Sequence, residues 1–124
     1  MVKQFLVCFI LLLVIDSVYL YMNAKHFNDV VGRISGKELT QRYYSAALVY
    51  IALALGLVYF VLPHKKDAIK YGFLFGLITY AVFDFTTHFM FRDWDIKTSI
   101  KDTLWGGVLC ATASLVSLKI LARL

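Results

Sequence analysis

The chain contains a single proline, Pro63, and only two cysteines, Cys8 and Cys110. Neither cysteine belongs to a C-x-x-C pair or lies near a histidine at metal-ligand spacing. Both fall inside apolar blocks, where a thiol behaves as a small apolar side chain, so they say nothing about redox compartment. No H-E-x-x-H, G-x-S-x-G or P-loop occurs, so the sequence offers no catalytic constellation, metal site or cofactor site. The net charge is +5, yet no basic stripe alternates with aromatics as on a nucleic-acid-binding surface. The Lys and Arg residues instead gather between apolar blocks, where such side chains snorkel to headgroups and attract anionic lipid. Nucleic acid is therefore not an expected partner. A signal-peptidase site is lacking too. The first apolar run, Phe5 to Ile15, is followed by Asp16-Ser17-Val18-Tyr19-Leu20-Tyr21-Met22, without the small residues that cleavage needs. That run is read as a retained span.

What the chain has in quantity is apolar length. Of its 124 residues 60% are hydrophobic and the mean hydropathy is +0.72, whereas a soluble domain is about half apolar. The excess lies in four blocks, each close to the roughly 20 residues that cross a hydrocarbon core. They cover residues 4–22, 44–62, 68–90 and 100–121, which leaves no room for a separate soluble domain. The expectation is an all-α fold: one integral membrane four-helix bundle over residues 1–124, embedded in the lipid bilayer.

The connections differ in character. In the first, 23–43, the spacing of Phe27, Val30, Val31 and Ile34 puts one apolar face on a helix. An interfacial helix lying along the membrane is predicted there, weakened by Gly32 and Gly36. The second, Pro63-His64-Lys65-Lys66-Asp67, is a tight turn after a proline stop. The third, 91–99, carries Arg92-Asp93-Trp94-Asp95, with Trp94 suited to the headgroup level. An even number of spans puts both termini on one side. Lys3, Lys65, Lys66, Lys70, Lys119 and Arg123 share that side in short segments, and the positive-inside bias then favours cytoplasmic termini.

Small residues mark helix contacts. Gly72 and Gly76 form a small-xxx-small pair, Ala52 and Gly56 repeat it, and Gly106 and Gly107 lead a series continued by Ala111, Ser114 and Ser117. Close backbone packing of this kind holds helices together in lipid. Packing within one chain is the plainer reading of the pattern, and a dimer face the alternative.

Three carboxyls interrupt the apolar blocks: Asp16, Asp84 and Asp102. An ionised Asp at a helix centre costs about 2.5 to 3.5 kcal/mol on insertion scales, so such residues face the bundle interior. Span direction puts all three in the half of the bilayer next to the first and third connections. Helical spacing sets Tyr19 on the face of Asp16; Tyr80, Thr87 and His88 on that of Asp84; and Trp105 and Gly106 on that of Asp102. Tyr44 and Tyr50 enter the second span from the same side. The candidate polar cluster is therefore Asp16, Tyr19, Tyr50, Tyr80, Asp84, Thr87, His88, Asp102 and Trp105. A capping role near the start of the fourth span is favoured for Asp102. For Asp16 and Asp84, interhelical bracing and a functional site stand level.

Taken together, Gly72-x-x-x-Gly76, Tyr80-x-x-Phe83-Asp84-Phe85-Thr86, Arg92-Asp93-Trp94 and Asp102-x-x-Trp105-Gly106 resemble the small membrane proteins grouped as domain-of-unknown-function family 2177. Asp16, in an Asp-x-x-aromatic pattern, matches as well. The chain departs from the family pattern at Tyr19, Thr87 and Asp95, where Trp, Asn and Pro are usual. The resemblance implies a four-helix membrane protein with relatives in bacteria and large DNA viruses, and it supplies no activity.

Three functional classes follow. A proton, cation or solute conduit would use the polar cluster as a relay. It would require Asp16 and Asp84 to face a hydrated cavity. A non-catalytic scaffold, for example in a viral internal membrane or an envelope assembly, would seal them with hydrogen bonds. Its apolar exterior would then meet a second copy of the chain or other assembly proteins. An enzyme on a lipid-like substrate would need a cleft, with Asp84, His88 and Asp102 as the metal ligands to consider. The conduit ranks just ahead of the scaffold, and the enzyme last.

Overall fold

The computed structural model of the chain describes residues 2–26, 29, 43–92 and 94–124. Among these the regular structure is helical and no strand occurs. Helix α1 covers Val2–Met22 and α2 covers Tyr43–Gly56; α3 covers Ala68–Met90 and α4 covers Ile96–Arg123. The apolar residues of the interfacial helix expected in the first connection, Phe27, Val30, Val31 and Ile34, lie outside the described residues.

Among the described residues three helical stretches are long and apolar enough to cross a membrane: Val2–Met22, Tyr44–Met90 and Ile96–Arg123. The middle stretch has 47 residues and would reach about 70 Å as a straight helix, more than twice a hydrocarbon core of about 30 Å. It does not run straight. After α2 the chain widens into a π-turn at Leu57–Val61 and tightens into a 3-10 segment at Leu62–Asp67. It reverses at Lys65, whose φ of 49° and ψ of −103° leave the helical region. Pro63, at the start of the 3-10 segment, has no N–H to extend the preceding helix. The chain then folds back until the Phe75 ring of α3 rests against Gly56 at the end of α2.

Helix α4 begins at Ile96, one turn earlier than the apolar block around residue 100 suggests. The reason is local. The Asp95 side chain accepts from the Thr98 backbone N–H at 2.8 Å, satisfying one of the donors left open at a helix start. Asp102 therefore lies well inside α4 and is not its cap, which corrects the capping role expected for it.

The α3–α4 pair forms the most extensive interface in the bundle, while α1 packs on both α4 and α2. Glycine makes the close approach possible. A Cβ placed on Gly72 would lie 2.8 Å from Ser114 Oγ and 2.9 Å from the Cys110 carbonyl oxygen. One on Gly76 would strike the Gly106 carbonyl and come within 2.9 Å of Gly107 Cα. Gly106 in turn takes the Tyr80 ring across it, and Gly107 takes Phe73 and Leu77. All five glycines singled out by spacing, Gly56, Gly72, Gly76, Gly106 and Gly107, thus sit at contacts within the chain. Cys8, Leu12, Leu57, Val61, Leu109 and Ala113 fill the core with little or no exposure. Ile10, Val14, Ile78, Val82 and Val108 point outward.

Gly76→Ala is expected to force α3 and α4 apart at a backbone contact and to lower stability by about 1 to 3 kcal/mol, the usual cost of overpacking. The neighbouring change Ile78→Ala, on the outward face, should cost much less. Unfolding of the two variants in one detergent or bicelle system checks this; equal stabilities would contradict it.

Candidate functional site: a buried carboxyl cluster

Asp16, Asp84 and Asp102 come from three helices and are buried, with fractional exposures of 6%, 0% and 8%. Each position is set by its helix. On α1, Asp16 and Tyr19 are three residues apart and share the inward face. On α4 the buried positions Ser99, Asp102, Gly106, Leu109 and Ala113 recur at three- and four-residue steps. On α3, Asp84 follows Gly76 and Tyr80 along the face that meets α4.

Asp16 is held at both oxygens. The Tyr50 hydroxyl of α2 donates to Oδ2 at 2.5 Å and the Trp105 indole N–H of α4 donates to Oδ1 at 2.8 Å. Tyr19 donates to Asp102 Oδ1 at 3.3 Å, and its ring stacks on that of Trp105 with centroids 4.6 Å apart. Thr103 donates to Asp84 Oδ2 at 3.3 Å. The Asp84 and Asp102 carboxyls also lie within hydrogen-bonding reach of each other. Three carboxyls thereby tie four helices together. The hydrogen-bond donors are neutral hydroxyls and an indole. Lys101, next to Asp102 in sequence, is exposed and donates instead to the Asn23 side chain.

The candidates divide on inspection. Asp16, Tyr19, Tyr50, Asp84, Asp102 and Trp105 are joined by these contacts. Tyr80 borders them, its ring laid over Gly106. Thr87 and His88 turn elsewhere. The Thr87 hydroxyl donates to the Phe83 carbonyl of its own helix at 2.8 Å. His88 Nδ1 donates to the Trp94 carbonyl at 2.6 Å and fastens the α3–α4 connection. Among the described residues no three His, Cys, Asp or Glu side chains gather as a group able to hold a metal ion.

Three participants escaped the sequence reading. Thr103 supplies Asp84 with its donor. Ser99 Oγ accepts from the Trp94 indole at 2.9 Å and donates to the Asp84 backbone carbonyl at 3.0 Å. Trp94 is buried, with its ring turned inward and edge-on to Phe83. Ser99, three residues before Asp102 on a helix, carried a spacing signal, but one that only an earlier α4 start makes visible.

Removing the Tyr50 hydroxyl tests the tie between α1 and α2. Tyr50→Phe is expected to lower the unfolding free energy by about 1 kcal/mol, as for a lost buried hydrogen bond. Added to an Asp16→Leu background, the same change should cost distinctly less. Additive losses in that double-mutant cycle would show that the two groups do not interact.

The family model described as "Predicted membrane protein (DUF2177)" matches residues 1–119. No curated protein and no solved structure shows significant similarity to the chain. The match reaches into every helix and includes all the carboxyls of the cluster. A chain of apolar helices packed through glycine, with three carboxyls buried among hydroxyl and indole donors, belongs to the DUF2177 family of predicted membrane proteins.

Proposed function

We propose that the protein is a non-catalytic, structural membrane bundle in which the carboxyl cluster works as an interhelical clasp. The observation that carries this reading is the sealing of Asp16, Asp84 and Asp102, each more than nine-tenths buried and each touched by a side chain from another helix. A carboxyl in hydrocarbon is costly unless paired inside the protein, and here the pairing draws on every helix. The reversal at Lys65 divides the middle apolar stretch in two, which supports four crossings with both termini on one side. The short basic segments on that side favour the cytoplasm for the termini. The outward apolar faces are then left to lipid and to a neighbour, either a second copy of the chain or another protein of a membrane assembly.

A second reading, the proton or cation conduit, draws on one observation: Asp84 Oδ1 is buried and accepts no hydrogen bond from any donor among the described residues. Against it stands the apolar core, in which Leu12, Leu57 and Leu109 are fully buried and offer no polar step for an ion.

Reconstituted liposomes separate the two. The structural reading predicts proton and cation flux no greater than in empty liposomes, with Asp84→Asn indistinguishable from the parent. Flux in the parent that disappears in a folded Asp84→Asn variant would replace the clasp with the conduit.

A further inference from the structure

The Asp84 and Asp102 carboxyls face each other across the α3–α4 interface, and their four oxygens are unequally served. Tyr19 supplies Asp102 Oδ1 and Thr103 supplies Asp84 Oδ2. Asp84 Oδ1 is buried in a residue with 0% exposure and has no donor among the described residues. An ionised carboxylate can only accept, so two ionised groups in contact would leave that oxygen bare and set two like charges side by side. A buried acceptor without a donor costs roughly 1 to 3 kcal/mol, and more when charged. A single proton removes both penalties, because a carboxyl O–H is itself a donor.

We propose that Asp84 and Asp102 form a proton-binding site, a carboxyl pair that shares one proton. The surroundings fit that occupant. From α1, Asp16 and Tyr19 face the pair; Asp16 is already matched at both oxygens by Tyr50 and Trp105. From α3, the Tyr80 ring lies over Gly106, one turn after Asp102 on α4. From α4, exposed Lys101 neighbours Asp102 in sequence while its amine hydrogen-bonds Asn23. The side chains that give the pair hydrogen bonds, Tyr19 and Thr103, are neutral, so among the described residues no cation directly bonded to it does the work of a proton. Asp16 is a different kind of carboxyl, with a fixed donor at each oxygen. The site is independent of the clasp reading: a static bundle and a conduit could both contain it.

Infrared spectroscopy of the full chain in vesicles at neutral pH tests the assignment. The expected spectrum contains the C=O band of one buried protonated carboxylic acid per chain, shifted slowly on transfer to D2O. That band should vanish in Asp84→Asn and in Asp102→Asn, where an amide N–H can take the place of the shared proton, and should persist in Asp16→Asn. Helix content by circular dichroism shows which variants fold, and the parent spectrum carries the test even if none does. A folded parent without the band overturns the proposal. So does a band that survives in both Asp84→Asn and Asp102→Asn, or one lost only in Asp16→Asn.

Discussion

A carboxyl group inside a hydrocarbon layer has no water to turn to, so another helix must supply its donors. This constraint organises the bundle. Asp16 reaches α2 through Tyr50 and α4 through Trp105, while Asp84 and Asp102 join α3 to α4 and Tyr19 returns the network to α1. Elsewhere the core consists largely of apolar side chains that pack equally well in many relative rotations. Lipid tails resemble leucine, so apolar burial alone gives helices little reason to select one partner face. The carboxyls give such a reason, since each misregistered arrangement would strand a charge.

Close approach is the second requirement. Side chains as short as Thr103 and Asp84 meet across α3 and α4 only where the helices pack closely, and glycine permits such packing at Gly76 against Gly106 and at Gly72 against Cys110. The two devices are adjacent on α4: Gly106 and Gly107 meet α3 one turn after Asp102, directly beyond Trp105. The part of the core around Cys8 is simpler. The Cys8 thiol donates to Ser117 at 3.4 Å, and Leu12, Leu57 and Leu109 fill the space toward the cluster. The buried carboxyls are concentrated in one part of the bundle, and elsewhere the buried polar groups are small, Ser114 and Ser117 among them.

Much of the architecture was legible in the sequence because the signals are coarse. Apolar blocks of spanning length, Pro63 before a basic turn, and glycines at four-residue spacing each have one dominant physical meaning in a membrane chain. Asp16, Asp84 and Asp102 stood out since charge inside apolar sequence is costly. Their donors were harder to see. Tyr50 and Trp105 could be suspected, but Thr103 and Ser99 look like any other small polar residues until α4 is placed against α3. Thr87 and His88 share a helix face with Asp84, yet each has a nearer acceptor, the Phe83 and Trp94 carbonyls. The start of α4 was hidden because the apolar block begins later than the helix; the cap at Asp95, not hydrophobicity, decides it. The π-turn after Gly56 left no signal in composition or spacing.

The central claim is that the three carboxyls are sealed inside the folded bundle. Carbodiimide footprinting of the unaltered protein in a bilayer, read residue by residue by mass spectrometry, tests it most directly. Asp67, exposed beside the reversal at Lys65, serves as the internal reference. Sealed carboxyls predict rapid modification of Asp67, with Asp16, Asp84 and Asp102 protected until the protein is unfolded. Modification of Asp16 or Asp84 at a rate near that of Asp67 would mean a water-filled cavity at the cluster and would contradict the clasp.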